Sequence, residues 1–188
     1  MASVPNSGPA APPPPPVWDA TPPDAQQRYA GFWLRTVAAV IDSIILAIAY
    51  QALSFFLVAP VTPPTDFQDA EAVLAYLNSA LPLQQIILNT VIVWGYFALQ
   101  ESSSAQATLG KRALGIRVSR LDGGRLDFAK ASLRAWPMFL PNAAWLLGYG
   151  MASLAGLAAF VACVTVAFSS RKQGLHDMMA GALVLKSR

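Results

Sequence analysis

The chain has 188 residues; 55% belong to the apolar set AVILMFWYC, 12% are charged, and the net charge is +3. A soluble domain carries about 25% charged residues, so a water-soluble globule of this composition would lack the polar surface to cover itself, and an integral membrane protein is expected. One cysteine, Cys163, excludes an internal disulfide, and one histidine, His176, leaves too few soft ligands for a zinc or haem site. No metal and no cofactor are expected. The basic balance fits Lys- and Arg-rich cytoplasmic loops rather than nucleic-acid binding.

Nine of the fifteen prolines fall in the first 23 residues. Met1–Gln27, with the run Pro12–Pro16, therefore reads as a disordered proline-rich cytoplasmic tail outside the fold. A protein partner with a proline-binding groove is the functional alternative for this tail. No cleavable signal peptide precedes the first apolar run.

The spacing predicts a first span over about 33–59, where Asp42 is the sole charge beyond Arg35. Phe32 and Trp33 suit the interfacial belt at its start, and Pro60, Pro63 and Pro64 end it. The following loop is acidic, with Asp66, Asp69 and Glu71, and Ala70–Leu77 is expected as a short surface helix. A second, charge-free span is predicted over about 81–99, with Trp94 and Tyr96 near its far end.

Glu101–Arg134 holds seven positive residues. Within it Gly115–Arg120 alternates apolar and polar, Asp122-Gly123-Gly124 supplies turn chemistry, and Arg125–Phe128 is expected as a return strand. A small cytoplasmic β-hairpin between spans two and three follows, with Asp127 capping the next helix. Ala135–Ser170 carries no charge and would be about 54 Å long as one helix. Pro137 and Pro141 predict kinks and Gly148-Tyr149-Gly150 a break, giving a helix over about Phe128–Leu147 that spans at about 131–147 and a second span over about 151–168, with Lys130 and Arg134 snorkelling at the start. The Ala152/Gly156 and Ala155/Ala159 spacings suit close helix contact. The fold expected is an all-α membrane protein of about four transmembrane helices, occupying residues 28–185.

The acidic loop lacks Lys and Arg, whereas the 101–134 segment is rich in both. That asymmetry puts the basic segment and both termini in the cytoplasm, in a multi-pass protein of the cell inner membrane. Three passes would leave the basic C-terminal end outside.

Asp42 needs a specific reason. A carboxylate at a helix centre costs about 2.5–3.5 kcal/mol on insertion scales, so it is either a structural anchor or a proton or cation site. Arg35 lies two turns earlier but leans away from it; it is either a positive-inside anchor at the cytoplasmic headgroups or the partner of another carboxylate, for which Asp177, near the cytoplasmic end of the last span, is the natural candidate. Gly110-Lys111 fails as a phosphate loop, because Ala105 and Arg112 stand where Gly and Ser or Thr are required. Cys163 reads as a packing residue. His176 reads as interfacial, with its neighbour Asp177 keeping a proton-relay role open.

Three blocks then carry a resemblance: Phe32–Arg35 with Ile41-Asp42, Thr108–Val118, and Arg171–Gly181. Together they resemble the RDD family of bacterial multi-pass membrane proteins, named for one arginine and two aspartates. The resemblance covers about Gln27–Leu185, places those residues at Arg35, Asp42 and Asp177, and includes Gly110, Lys111, Gly115 and His176 as supporting positions. Ala182 departs from the Thr common in the family. The resemblance implies an inner-membrane protein, and some members are described as cation/proton antiporters. Two functions are carried forward: a small cation/proton transporter that would need a homo-oligomer to enclose a pathway, and a non-enzymatic adaptor or regulatory protein whose charges are structural. No nucleophile–base pair or phosphate cradle points to an enzyme.

Overall fold

The computed structural model describes residues 29–57, 62–79 and 83–187. The proline-rich tail of residues 1–27 lies outside them, as do the last residues of the first predicted span and the first of the second.

Helix α1 (Phe32–Leu57) has no internal Pro or Gly and runs for 26 residues. Its burial is inverted relative to a soluble helix. The residues it buries are Ala38 and Asp42, while Ile48 is 67% and Phe56 81% exposed. An apolar solvent outside and a polar core inside account for that pattern. Helix α2 (Ala70–Ser79) is the expected short helix after the acidic loop; Asp69 Oδ1 accepts from the Glu71 and Ala72 N–H groups at its start. Helix α3 (Leu83–Ser102) is long enough to cross a bilayer, although Gln84, Gln85 and Asn89 dilute its apolar character. Helix α7 (Tyr149–Phe168) is 20 residues long. Among the described residues α1 and α7 are both long and apolar enough to span a membrane.

Between α3 and α7 the chain is broken into short pieces: α4 (Leu109–Ala113), β1 (Ile116–Arg120), α5 (Phe128–Arg134), α6 (Trp136–Ala143) and a 3-10 turn (Ala144–Leu147). The helix expected over about 128–147, kinked at its prolines, is thus broken into separate pieces rather than only bent. Pro137 has no N–H to give and its ring crowds the carbonyl four residues back, so α5 stops and α6 restarts with that proline near its beginning. Gly148, at φ +98, makes the break before α7. The small residues of α7 serve intramolecular contact: Ala152, Ala159 and Ala162 are buried, and α6 packs along α7 and α3.

The expected β-hairpin does not form. β1 pairs antiparallel with β2 (Ala182–Lys186) at the C-terminal end, with Val118 opposite Val184. Tyr29 bridges to Leu185 on the other side of β2. The Asp122-Gly123-Gly124 turn is present, with the Gly124 N–H on Asp122 Oδ1 at 3.0 Å, but no return strand follows it. The reason is burial. Arg125–Asp127 offers one apolar residue, and Asp127 is engaged as the N-cap of α5. β2 instead buries Ala182, Leu183 and Val184, and Ala182 and Val184 join Ile116, Val118 and Ala30 in one apolar cluster. The fold is therefore mainly helical with a small two-stranded sheet. Helix α8 (Leu175–Ala180) precedes β2 and holds His176 and Asp177.

Candidate functional site

Asp42 lies inside the bundle, fully buried. Tyr96 of α3 donates its hydroxyl to Oδ1 at 2.6 Å. The Gly110 N–H donates to the same oxygen at 2.7 Å, and the Thr108 hydroxyl donates to Oδ2 at 2.5 Å. Thr108 is also the N-cap of α4, accepting from the Lys111 N–H. The Ser/Thr preference for caps thus has a second use here: one hydroxyl closes the helix and binds the carboxylate. Gly110 is required by close approach. A Cβ there would overlap the Ala38 carbonyl oxygen and come within 2.9 Å of Asp42 Cγ. Among the described residues no cation pairs with Asp42.

A second, ionic cluster lies beside it. Asp177 bridges Arg35 at 2.5 Å and Arg134 at 2.8 Å. Arg134 continues to Glu101 at 2.5 Å, and Glu101 also pairs with Lys111. Arg35 further donates to the carbonyls of Ala30 and Lys172. The Gly174 N–H reaches Asp177 Oδ2 at 2.9 Å. Glu101 and Asp177 are fully buried, and Arg134 and Lys111 nearly so. With Asp42, three carboxylates stand against three cations, so the region is formally neutral, as a low-dielectric interior requires. Among the described buried side chains, Ser132 Oγ and Trp136 Nε1 lack a partner; every charged group of the cluster has one.

Burial lowers the Lys111 ammonium from its ordinary pKa, and Glu101 opposes that shift. Burial would raise the Asp177 carboxyl, but Arg134 and Arg35 outweigh it and hold it below the usual carboxylate range. Burial pushes the His176 imidazole down to about 4, against the pull of Asp177. His176 presents Nε2 to Asp177 at 3.3 Å and Nδ1 to the Ala162 carbonyl at 3.2 Å. A neutral ring has one N–H, so it satisfies one of these acceptors.

A cavity of about 120 Å³ joins the two clusters. Arg35, Asp42, Glu101, Lys111, Arg134 and His176 line its polar side, and Phe97, Met138 and Cys163 its apolar side. The volume admits several waters or a small ligand.

Of the residues singled out in the sequence, Arg35 and Asp177 meet directly, with His176 against Asp177. Asp42 is not in contact with Arg35 and instead anchors α4. Lys111 links to the network through Glu101. Gly115 takes no part in the cluster; it turns the chain from α4 into β1 at φ +62, and its carbonyl accepts from Ser187 N–H at 2.6 Å. Arg134 is buried in the network at 6% exposure rather than snorkelling to the interface: two buried carboxylates hold it more strongly than headgroup water would. Glu101, Arg134, Tyr96 and Thr108 were not expected at the site. Glu101 and Arg134 each flank a charge-free apolar run, which is the signal Arg35 also carried.

A helical bundle that exposes its large apolar side chains and closes a charged network within defines a membrane protein. The chain belongs to the RDD family: the model of the RDD family matches residues 29–181. It is 27% identical to the uncharacterized protein YxaI of Bacillus subtilis over 164 residues, covering 85% of this chain and 98% of that one. It is also 26% identical to the uncharacterized membrane protein YteJ of the same organism over 162 residues, covering 85% and 82%. No solved structure matches the chain.

Proposed function

We propose that this chain crosses the cell inner membrane four times and exchanges a small cation for a proton at Asp42. The passes are α1, α3, the broken segment from α5 through α6, and α7. The basic 101–134 segment and both termini face the cytoplasm. The observation that carries this reading is the environment of Asp42: a fully buried carboxylate held by two hydroxyls and one N–H, with no ion-pair partner among the described residues, at the wall of a cavity. A carboxylate with neutral neighbours offers one site to a proton or to a cation, and competition for that site couples the two movements. Asp177 and Glu101 differ, because guanidinium or ammonium groups already occupy them. Four short spans enclose little volume, so a homo-oligomer completes the pathway.

Purified protein in liposomes tests the reading. A cation gradient should drive proton movement, and Asp42→Asn should abolish it while the protein stays folded. Undiminished exchange in Asp42→Asn would remove Asp42 from the mechanism.

The second reading is a non-enzymatic adaptor or regulatory protein. The complete pairing of the ionic cluster favours it, since such a network fastens the bundle without needing to move. The tail of residues 1–27 would then hold a protein partner. On this reading the liposomes show no exchange at all, and removal of the tail abolishes partner capture.

A further inference from the structure

Two cavities lie end to end in the bundle. One is the cavity between the Asp42 and Asp177 clusters. The other, of about 390 Å³, lies between α1, α3 and α6 toward the opposite end of α1. Its polar lining is uncharged, from Ser43, Tyr50, Gln51 and Asn89. Ala39, Phe97 and Met138 line both cavities, so these three side chains form the partition between them.

Ala39 has nothing to swing. Phe97 and Met138 do: a ring that turns about χ1 and an unbranched thioether that adapts its shape. Phe97 is held in place chemically as well as sterically. The Lys111 ammonium stands over its ring, 5.5 Å from the centroid. Lys111 is itself fastened to Glu101, one turn further along α3 than Phe97. A change in the charge balance around Asp42 and Lys111 therefore reaches the ring through one side chain.

We propose that the two cavities are halves of one path for small monovalent cations, and that Phe97 and Met138 are its gate, pinned by Lys111. Neutral oxygens and amides in the far half replace water around a single charge, and Asp42 binds it in the near half. This rests on the exchange reading of Asp42 and adds the path and the gate to it.

Thiol labelling in membrane vesicles tests the gate independently of flux. In a Cys163→Ala background, Asn89→Cys and Thr36→Cys are probed with a membrane-impermeant cationic methanethiosulfonate from each side. With Phe97 present, Asn89→Cys should react from one face and Thr36→Cys from the other. Adding Phe97→Ala should raise the rate from the opposite face at least tenfold for both. If Phe97→Ala does not fold, Met138→Ala gives the same reading. Equal labelling of both positions from one face, or rates unmoved by opening the partition, overturns the gate. Loss of flux in Asp42→Asn with an unresponsive partition sinks the gate but not the exchange. A responsive partition with normal flux in Asp42→Asn does the reverse.

Discussion

Arg134 and Asp177 are 43 positions apart in the chain, yet Arg134 Nε lies 2.8 Å from Asp177 Oδ1 inside the bundle. The same guanidinium reaches Glu101, so Arg134 ties α3, α5 and α8 together. Removing it leaves two buried carboxylates short of a partner, which costs about 3–5 kcal/mol in comparable buried pairs. Arg134→Met should therefore lower the thermal midpoint in detergent steeply. Lys130→Ala, one turn earlier and outside the network, should change stability by no more than about 0.5 kcal/mol. Equal midpoints for the two variants would mean the network does not hold the fold.

Two glycines should respond to alanine with opposite signs. At Gly110 an added Cβ overlaps the Ala38 carbonyl and crowds Asp42. Gly110→Ala must push α4 away from α1 and stretch the N–H bond to Asp42, for an expected loss of about 1–3 kcal/mol. At Gly156, in the middle of α7, an added Cβ meets nothing within 4 Å. Gly156→Ala should instead stabilise by up to about 1 kcal/mol, because alanine loses less backbone freedom in a helix. Denaturation of both variants under one set of conditions checks the pair of signs.

The elements that local pattern specifies were legible in the sequence. The first long apolar helix, the short helix at Ala70, the Asp127 cap and the break near Gly148 follow from hydropathy, capping and glycine chemistry. The partner of β1 was not legible, because strand pairing depends on which apolar residues are free to be buried, and the paired residues are far apart in the chain, by 62 positions at the Arg120–Ala182 end and 70 at the Ile116–Lys186 end. Arg35 and Asp42 stood out as charges within an apolar run, and Asp177 as the carboxylate near the end of the last apolar stretch that could meet Arg35. Glu101 and Arg134 sit at the ends of the polar segment, where the sequence reads them as ordinary interfacial charges; only the packing of α5 against both α3 and α8 turns them inward.

The sheet leads to a prediction about the C-terminal end. β2 is bonded on one side to β1 and on the other to Tyr29, and the Ala30 N–H donates to the Val184 carbonyl at 2.8 Å. Val184 is fully buried in the apolar cluster beside Ala30, Val118 and Ala180. Val184→Asp puts an unpaired carboxylate there and should unfold the sheet, whereas Lys186→Asp, at the exposed end of the strand, should be tolerated. Limited proteolysis should then cut Val184→Asp near β1 and leave Lys186→Asp intact. Intact β1 in both variants would show that the sheet is not what joins the chain ends to the bundle.

The ionic cluster also predicts a pH dependence with a definite sign. His176 is nearly buried, and its pKa falls from 6.5 to about 4 on folding. Between those values the unfolded chain binds a proton that the folded chain does not, so stability is complete above pH 6.5 and declines as pH falls toward 4. A shift of this size corresponds to at most about 3 kcal/mol. The groups facing the ring are Asp177, Arg134 and Arg35, and the two guanidiniums keep their charge throughout the window. Asp177 contributes a separate loss only below pH 3.8, where the unfolded carboxyl takes up a proton and the folded one, paired with Arg134 and Arg35, resists it. His176→Gln should therefore flatten the stability profile between pH 6.5 and 4 and leave the steeper fall at lower pH in place. Thermal midpoints measured across that range for both proteins check it; an unchanged slope in His176→Gln would assign the acid sensitivity to another group.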